Sequence, residues 1–290
     1  MRSFRTKLED FINSSLDEES RNRNRQAIEA VLQSGASSYQ RWLDLIVDRR
    51  ASPDLRGTAC WIIGMEGNAR AFSFLARALQ DENPHVRGHA AGALASLRPR
   101  VRRGRYSKVL GLLIHAFQSD IDLDVRWQAG IALREFHDHR ALKALIAVLA
   151  NPQEPAPVRD VAAEALAYIP DERAFSPLIE ALKDPAEIVR ISAAYALSSL
   201  ADSCFYGEAG GSKIYMELQQ RAFLPLIEAL QDPAEKVRYW VVSALGGIRD
   251  RRAIPELKRV AETDKGTWYG DEVAEAARYA IQSIKEKRRD

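Results

Sequence analysis

The sequence predicts an all-α protein, an α-α superhelix of about seven helix pairs with a helical cap at its N-terminus. Three observations carry this reading. One long segment returns almost unchanged, shorter copies of it recur along most of the chain, and the apolar residues inside each copy follow the helical period rather than the strand period.

The returning segment is Arg173-Ala-Phe-Ser-Pro-Leu-Ile-Glu-Ala-Leu182 with Asp184-Pro-Ala-Glu-Ile-Val-Arg190. It reappears as Arg221-Ala-Phe-Leu-Pro-Leu-Ile-Glu-Ala-Leu230 with Asp232-Pro-Ala-Glu-Lys-Val-Arg238. Looser copies keep a Val-Arg or Leu-Arg pair whose first member is Leu55, Val86, Val125, Val158, Val189 or Val237, at steps of 31, 39, 33, 31 and 48. A degenerate last copy begins at Val273, where Ala274 replaces the arginine. A unit of this size holds two helices of three or four turns and two short connections. Helix pairs are expected near 38–65, 68–97, 105–136, 139–168, 171–200, 219–247 and 251–286. Two earlier helices, near 3–14 and 21–34, are expected to close the apolar end of the array; the first carries Phe4, Leu8, Phe11 and Ile12 on one side. The domain plan is therefore a cap over 1–37, the repeat array over 38–286 and a charged tail over 287–290.

In each second helix, with the Val or Leu as position i, the residues at i+4, i+7 and i+8 are small or aliphatic, as in Val189, Ala193, Ala196 and Leu197. At about 100° per residue these form one apolar stripe, and the alanines let neighbouring helices approach closely. First helices, such as the one with Leu142, Leu145, Ile146 and Leu149, show the same period. Sustained two-residue alternation between hairpin turns is missing, which argues against strands.

Composition bounds the function. The chain has 290 residues, 46% hydrophobic and 28% charged, with 42 Lys plus Arg against 40 Asp plus Glu, a formal charge of +2. Such a balance creates no global field favouring nucleic acid or an anionic membrane, so an electrostatic partner must be recognised locally. The two cysteines, Cys60 and Cys204, have no metal-ligand spacing and fit a reducing compartment, with the cytoplasm as the expected location. The N-terminus lacks the apolar core of a signal peptide, and charges interrupt every hydrophobic stretch well short of the about 18 residues a membrane span requires.

The Asp-Pro-x-x-x-Val-Arg turns, the Ala-x-x-Ala-Leu helices after them, and the connectors Ile169-Pro-Asp-Glu-Arg-Ala174 and Ile248-Arg-Asp-Arg-Arg-Ala253 resemble HEAT-like repeats of the phycobilisome lyase type. The resemblance covers about residues 38–286 and implies an armadillo/HEAT-like solenoid. These repeats occur in bilin lyase subunits and in bacterial adaptor proteins, so the fold implied is specific while the role is not. The resemblance further implies that the recurring Asp and Arg, six apart at Asp81 and Arg87, Asp120 and Arg126, Asp184 and Arg190, and Asp232 and Arg238, serve as a hydrogen-bonded ladder between units. As exposed pairs, each is expected to contribute only about 0–1 kcal/mol.

If i, i+4, i+7 and i+8 face the core, i+2 and i+6 face the groove of the concave side. These positions hold Trp61, Trp127, Ile131, Ile191, Tyr195 and Tyr239, and Trp240 lies next to them. Aromatic groups on a helical face provide large contact area at low entropic cost. They are the candidate partner-binding residues, for a peptide or another protein. Two insertions break the period and supply loop candidates: the basic stretch 98–105 with Arg100, Arg102, Arg103 and Arg105, and 203–215 with Phe205, Tyr206 and Tyr215. The function read from this pattern is a non-enzymatic scaffold or adaptor. The first alternative, implied by the resemblance and by Leu55-Arg-Gly-Thr-Ala-Cys-Trp-Ile-Ile-Gly64, is a bilin lyase subunit or chromophore-handling chaperone acting on a bilin-protein, with Trp61, Trp127 and Tyr239 shaping the tetrapyrrole site. Nucleic-acid binding through the basic stretch ranks last.

Catalytic and metal chemistry have little support. His85 and His89 are four apart, but Pro84 places Glu82 in the turn, so no metal site and no cofactor is expected. HEAT-like metal hydroxylases carry repeated His-Glu pairs, and this chain has none. Neither cysteine has a sequence partner for nucleophilic catalysis, and no Walker, dinucleotide or nucleophile-elbow motif is present; Gly210-Gly-Ser-Lys213 lacks the full glycine spacing of a P-loop.

Overall fold

A computed structural model describes residues 39–66, 69–97, 107–206, 213–268 and 270–286, with isolated positions 18, 22, 25, 26 and 29. Apart from those positions, the cap expected over 1–37 lies outside the described residues, as do the tail at 287–290 and the basic stretch with Arg100, Arg102, Arg103 and Arg105.

The chain divides into two compact units, residues 1–136 and 137–290. In the first unit, α1 (Tyr39–Val47) pairs with α2 (Pro53–Glu66), α3 (Phe72–Ala78) with α4 (Pro84–Leu97), and α5 (Ser107–Ser119) with α6 (Leu123–Phe136). In the second, α7 (Leu142–Leu149) pairs with α8 (Ala156–Leu166), α9 (Phe175–Ala181) with α10 (Glu187–Tyr206), α11 (Lys213–Ala229) with α12 (Glu235–Ile248), and α13 (Ile254–Thr263) with α14 (Val273–Lys285). The second helices of each unit form one layer: α2 packs on α4 and α4 on α6, while α8 packs on α10, α10 on α12 and α12 on α14. Seven helix pairs and an all-α architecture are what the periodicity predicts.

The apolar stripe is the reason. Val86, Ala90 and Leu94 of α4, Val125, Ala129, Ala132 and Leu133 of α6, and Val189, Ala193 and Ala196 of α10 are all fully buried. Small residues set how near the second helices come. A methyl group at Gly64 would sit 2.8 Å from the Ala93 backbone, and one at Gly247 would sit 2.9 Å from the Ala201 side chain. Larger side chains at either place force the layer apart.

Short turns start the helices. Asp138, Asp171 and Asp250 accept hydrogen bonds from the backbone amides of Arg140, Arg173 and Arg252 and open one-turn 3-10 helices before α7, α9 and α13. In the sixth pair Gln219 replaces that aspartate and lies inside the helix rather than opening a turn. Instead α11 runs straight through from Lys213, and α10 extends to Tyr206. Among the described residues of the second insertion, Phe205 and Tyr206 end α10 and Tyr215 lies in α11, so these candidates are helical rather than loop residues, which corrects the sequence expectation. A further difference is a two-residue ladder between Thr267–Trp268 and Asp271–Glu272, closed around Gly270 at φ 90°. Strands this short leave no alternation to detect.

The Asp and Arg ladder is more buried than the sequence suggests, and its partners lie in successive pairs. Five second-helix arginines form a fork with the turn aspartate of the next pair: Arg56 with Asp81, Arg87 with Asp120, Arg159 with Asp184, Arg190 with Asp232 and Arg238 with Asp264, at N to O distances of 2.6–3.1 Å, whereas Arg126, expected in the ladder, donates to the Phe117 carbonyl. Arg56 and Asp81 have only 2% and 3% of their side chains exposed. The remaining guanidinium nitrogen of Arg87, Arg190 and Arg238 donates to backbone carbonyls of its own turn, at Asp81 and Glu82, Asp184 and Pro185, and Asp232 and Pro233. Each carboxylate also accepts an amide two residues on, at Asn83, Asp122, Ala186, Ala234 and Gly266. Burial alone would raise the Asp81 carboxyl, but the Arg56 guanidinium and the Asn83 amide outweigh it and hold it below the usual carboxylate range.

Bidentate, shielded pairs of this kind differ from surface ion pairs, because removing one partner leaves a buried charge without compensation. Asp81→Ala is expected to cost about 3–5 kcal/mol in urea unfolding, whereas Asp44→Ala on the exposed side of α1 changes stability by less than about 0.5 kcal/mol.

Candidate functional site

In the first unit a groove of about 570 Å³ opens on the exposed face of α2, α4 and α6, within the range of sites that hold small ligands or a few side chains. Trp61 of α2 stands on one side, and Trp127 and Gln128 of α6 stand on the other. The floor belongs to α4, where Gly88 and Gly92 occupy the positions that carry tryptophan on the flanking helices. Trp127 is 39% exposed, large for an indole. A methyl at Gly92 would approach the Gln128 amide oxygen to 3.0 Å, while one at Gly88 meets only Val125 at 3.9 Å. The groove exists because two glycines lie between two tryptophans.

At the N-terminal end of the second helices the lining becomes polar, with His85, Asp122 and Asp124. The Asp122 carboxylate accepts the Val125 amide at 3.0 Å and caps α6. Asp124 is exposed in the first turn. His85 and His89 meet edge to face with ring centroids 4.4 Å apart, and His85 Nε2 lies 4.0 Å from Asp54 Oδ1. Burial, together with neighbouring His85, lowers the His89 pKa from 6.5 to about 4. His89 is thus neutral at physiological pH, and the carboxylates of Asp122 and Asp124 line the groove beside it.

In the second unit the exposed face carries a row of rings. His137 stacks on Tyr168 at 4.7 Å, the Tyr168 and Tyr195 hydroxyls are 2.8 Å apart, Tyr195 meets Trp240 edge to face at 4.9 Å, and Trp240 meets Tyr239 at 5.3 Å. The hydrogen bond and the ring contacts link α8, α10 and α12. All the rings from Tyr168 to Tyr239 are half-buried. On α8, Asp160 accepts the Ser192 hydroxyl at 2.5 Å; burial raises its carboxyl, an effect that nearby Glu164 reinforces.

The candidates from the sequence thus fall into two groups. Trp61 and Trp127 share the first-unit groove, and Ile131 is half-buried on α6. Tyr195, Tyr239 and Trp240 share the second-unit row, with half-buried Ile191 on the same helix as Tyr195. Phe205 and Tyr206 end α10 and Tyr215 lies near the start of α11, but their side chains lie outside the described residues. The sequence reading passed over Gly88, Gly92, Asp122, Asp124, Tyr168 and His137. Two of these had a signal: Gly88 and Gly92 fall at i+2 and i+6, and a groove needs absent side chains as much as present ones.

Nothing in the site assembles a nucleophile. Cys60 is fully buried, and burial drives its thiol far up, so it stays protonated. Among the described residues no three His, Cys, Asp or Glu side chains come together to hold a metal ion, and no helix is long and apolar enough to cross a membrane.

Comparisons with known proteins agree with this architecture. The family model described as HEAT repeats matches residues 39–134, 142–204 and 217–285, and the PBS lyase HEAT-like repeat matches 125–151. Among solved structures, the chain is similar to a designed armadillo repeat protein in complex with the peptide (KR)4, at 20% identity and TM-score 0.57, over 73% of this chain and 100% of that one. It is similar to the complex of CpcE and CpcF of phycocyanin lyase from Nostoc, at 21% identity and TM-score 0.50, over 85% and 94%. It is also similar to yeast importin-beta, at 14% identity and TM-score 0.64, over 98% of this chain and 42% of that one. At these identities the likeness is one of fold. No curated protein sequence matches the chain.

The depressed His89 gives a pH signature. Its unfolded imidazole takes up a proton near pH 6.5 and its folded one only near 4, so its contribution is complete above pH 6.5 and is lost as pH falls toward 4. Urea unfolding is expected to show a loss of about 3 kcal/mol across that window, and His89→Gln flattens the slope.

Proposed function

Because the chain belongs to the HEAT-repeat family, we propose that it is a non-enzymatic adaptor that binds a peptide or protein partner along the exposed face of its second helices. The principal contact is the groove between Trp61 and Trp127. The repeat array over 38–286 is the binding body, with 1–37 as its cap, and the cytoplasm is the compartment that fits its two cysteines.

The observation that carries this reading is the groove itself, lined by two tryptophans and by Gly88 and Gly92. Exposed aromatic walls around a hollow of this size suit an inserted side chain, and such anchors dominate interface energetics. Similar repeat structures, one in complex with a peptide and one a complex of two lyase proteins, point the same way.

A bilin lyase or chromophore-handling role is the second reading, favoured by the PBS lyase HEAT-like match and the phycocyanin lyase neighbour. The charges oppose it. A bilin carries propionate groups, and Asp122 and Asp124 at the mouth of the groove repel them. Tyr239, the third residue expected to shape a tetrapyrrole site, belongs to the second unit. Nucleic-acid binding through Arg100, Arg102, Arg103 and Arg105 has no further observation behind it.

Trp61→Ala and Trp127→Ala are expected to leave circular dichroism and the unfolding midpoint nearly unchanged while weakening capture of the natural partner at least about 10-fold, as loss of an aromatic anchor does. Affinity purification with mass spectrometry on wild type and both variants reads this out. Equal recovery of every partner by all three proteins refutes it. A new absorbance band on mixing the chain with phycocyanobilin and apo-phycobiliprotein would instead establish the second reading.

A further inference from the structure

The near-neutral total charge conceals a separation of charge. On α2, α4 and α6 there is no lysine and there are four arginines, Arg56, Arg87, Arg126 and Arg134. Every one is engaged within the first unit. Arg56 and Arg87 are in the ladder, the Arg126 side chain donates to the Phe117 carbonyl at 2.9 Å, and Arg134 pairs with Glu135 at 3.1 Å. The carboxylates that line the groove, Asp122 and Asp124, meet no lysine or arginine among its lining residues, and the buried His89 there is neutral at physiological pH. The arginines of these helices are thus committed to the ladder, to a carbonyl and to Glu135, and the charged side chains that line the groove itself are carboxylates.

We propose that the groove recognises a basic peptide segment, with an arginine or lysine side chain inserted over Gly88 between Trp61 and Trp127 and its cationic head directed to Asp122 and Asp124. This rests on the adaptor reading and specifies the chemistry of its partner. Three features fit one occupant. Indole faces attract cations as well as covering an aliphatic stem. Gly88, where a methyl would meet only Val125 at 3.9 Å, gives a long side chain room to lie against the α4 backbone, and the Gln128 amide closes the space over Gly92. Two carboxylates at one end, one half-buried, supply the counter-charge.

The full-length chain is labelled and applied to a peptide array with randomised flanks and a fixed central pair, Arg-Arg, Lys-Lys, Gln-Gln or Glu-Glu. The basic sets are expected to retain the chain and the others to release it. The best basic peptide should bind about 10-fold more weakly to the double variant Asp122→Asn, Asp124→Asn, and its affinity should fall as ionic strength rises from about 0.05 to 0.5 M. Asparagine still caps α6, so the variant folds, as an unchanged thermal midpoint checks. Retention of the Gln-Gln set as strong as the Arg-Arg set, or an unchanged affinity in the double variant, overturns the proposal. If Trp61→Ala and Trp127→Ala abolish retention while charge has no effect, cation recognition is refuted and the groove survives. If neither kind of variant matters, both fall. Tight binding of a single-stranded oligonucleotide in place of the peptides also overturns it, since an anion cannot satisfy these carboxylates.

Discussion

The fork between a second-helix arginine and the turn aspartate of the next pair is the interaction on which the rest depends. Each aspartate accepts both nitrogens of the fork and, in addition, an amide of its own turn. Each arginine of a rung donates in turn to carbonyls that the turn leaves without helical partners. One side-chain pair thereby starts a helix, closes a turn and fixes the offset between successive pairs. Two rungs run through the first unit and three through the second. Planar, bidentate geometry explains why arginine recurs and lysine does not.

Electrostatic sorting follows from the same arrangement. A sequence with as many cations as anions makes a face where the cations are already committed, because the ladder sits at the base of the second helices rather than on their exposed side. The outward side is set by two positions per helix. Those positions hold Gly57 and Trp61 on α2, Gly88 and Gly92 on α4, and Trp127 and Ile131 on α6. In the second unit they hold Asp160 and Glu164, Ile191 and Tyr195, and Tyr239 and Ser243. Each unit keeps its core and ladder nearly constant and varies only this pair, which is how a repeat scaffold separates stability from recognition.

Departures from the repeat have local causes. Where an aspartate opens the first helix, a 3-10 turn forms, and where Gln219 takes its place the helix continues through the connector. Extra residues at the end of α10 and the start of α11 are thus taken up as helical turns. Gly270 allows the chain to reverse before α14, and the paired residues on either side are too few to register as strands.

The sequence by itself determined the architecture: helix pairs, their number, the buried stripe and the positions that face outward all follow from a period that repeats, because a helix converts spacing directly into a face. Only the tertiary structure decided which arginine meets which aspartate, how shielded they are, and which outward residues share a surface. Those depend on contacts between residues 25 to 42 apart in sequence, for which spacing within one helix carries no information. Glycine 88 and 92 became a floor, and Trp61 and Trp127 its walls, only once three helices lay side by side.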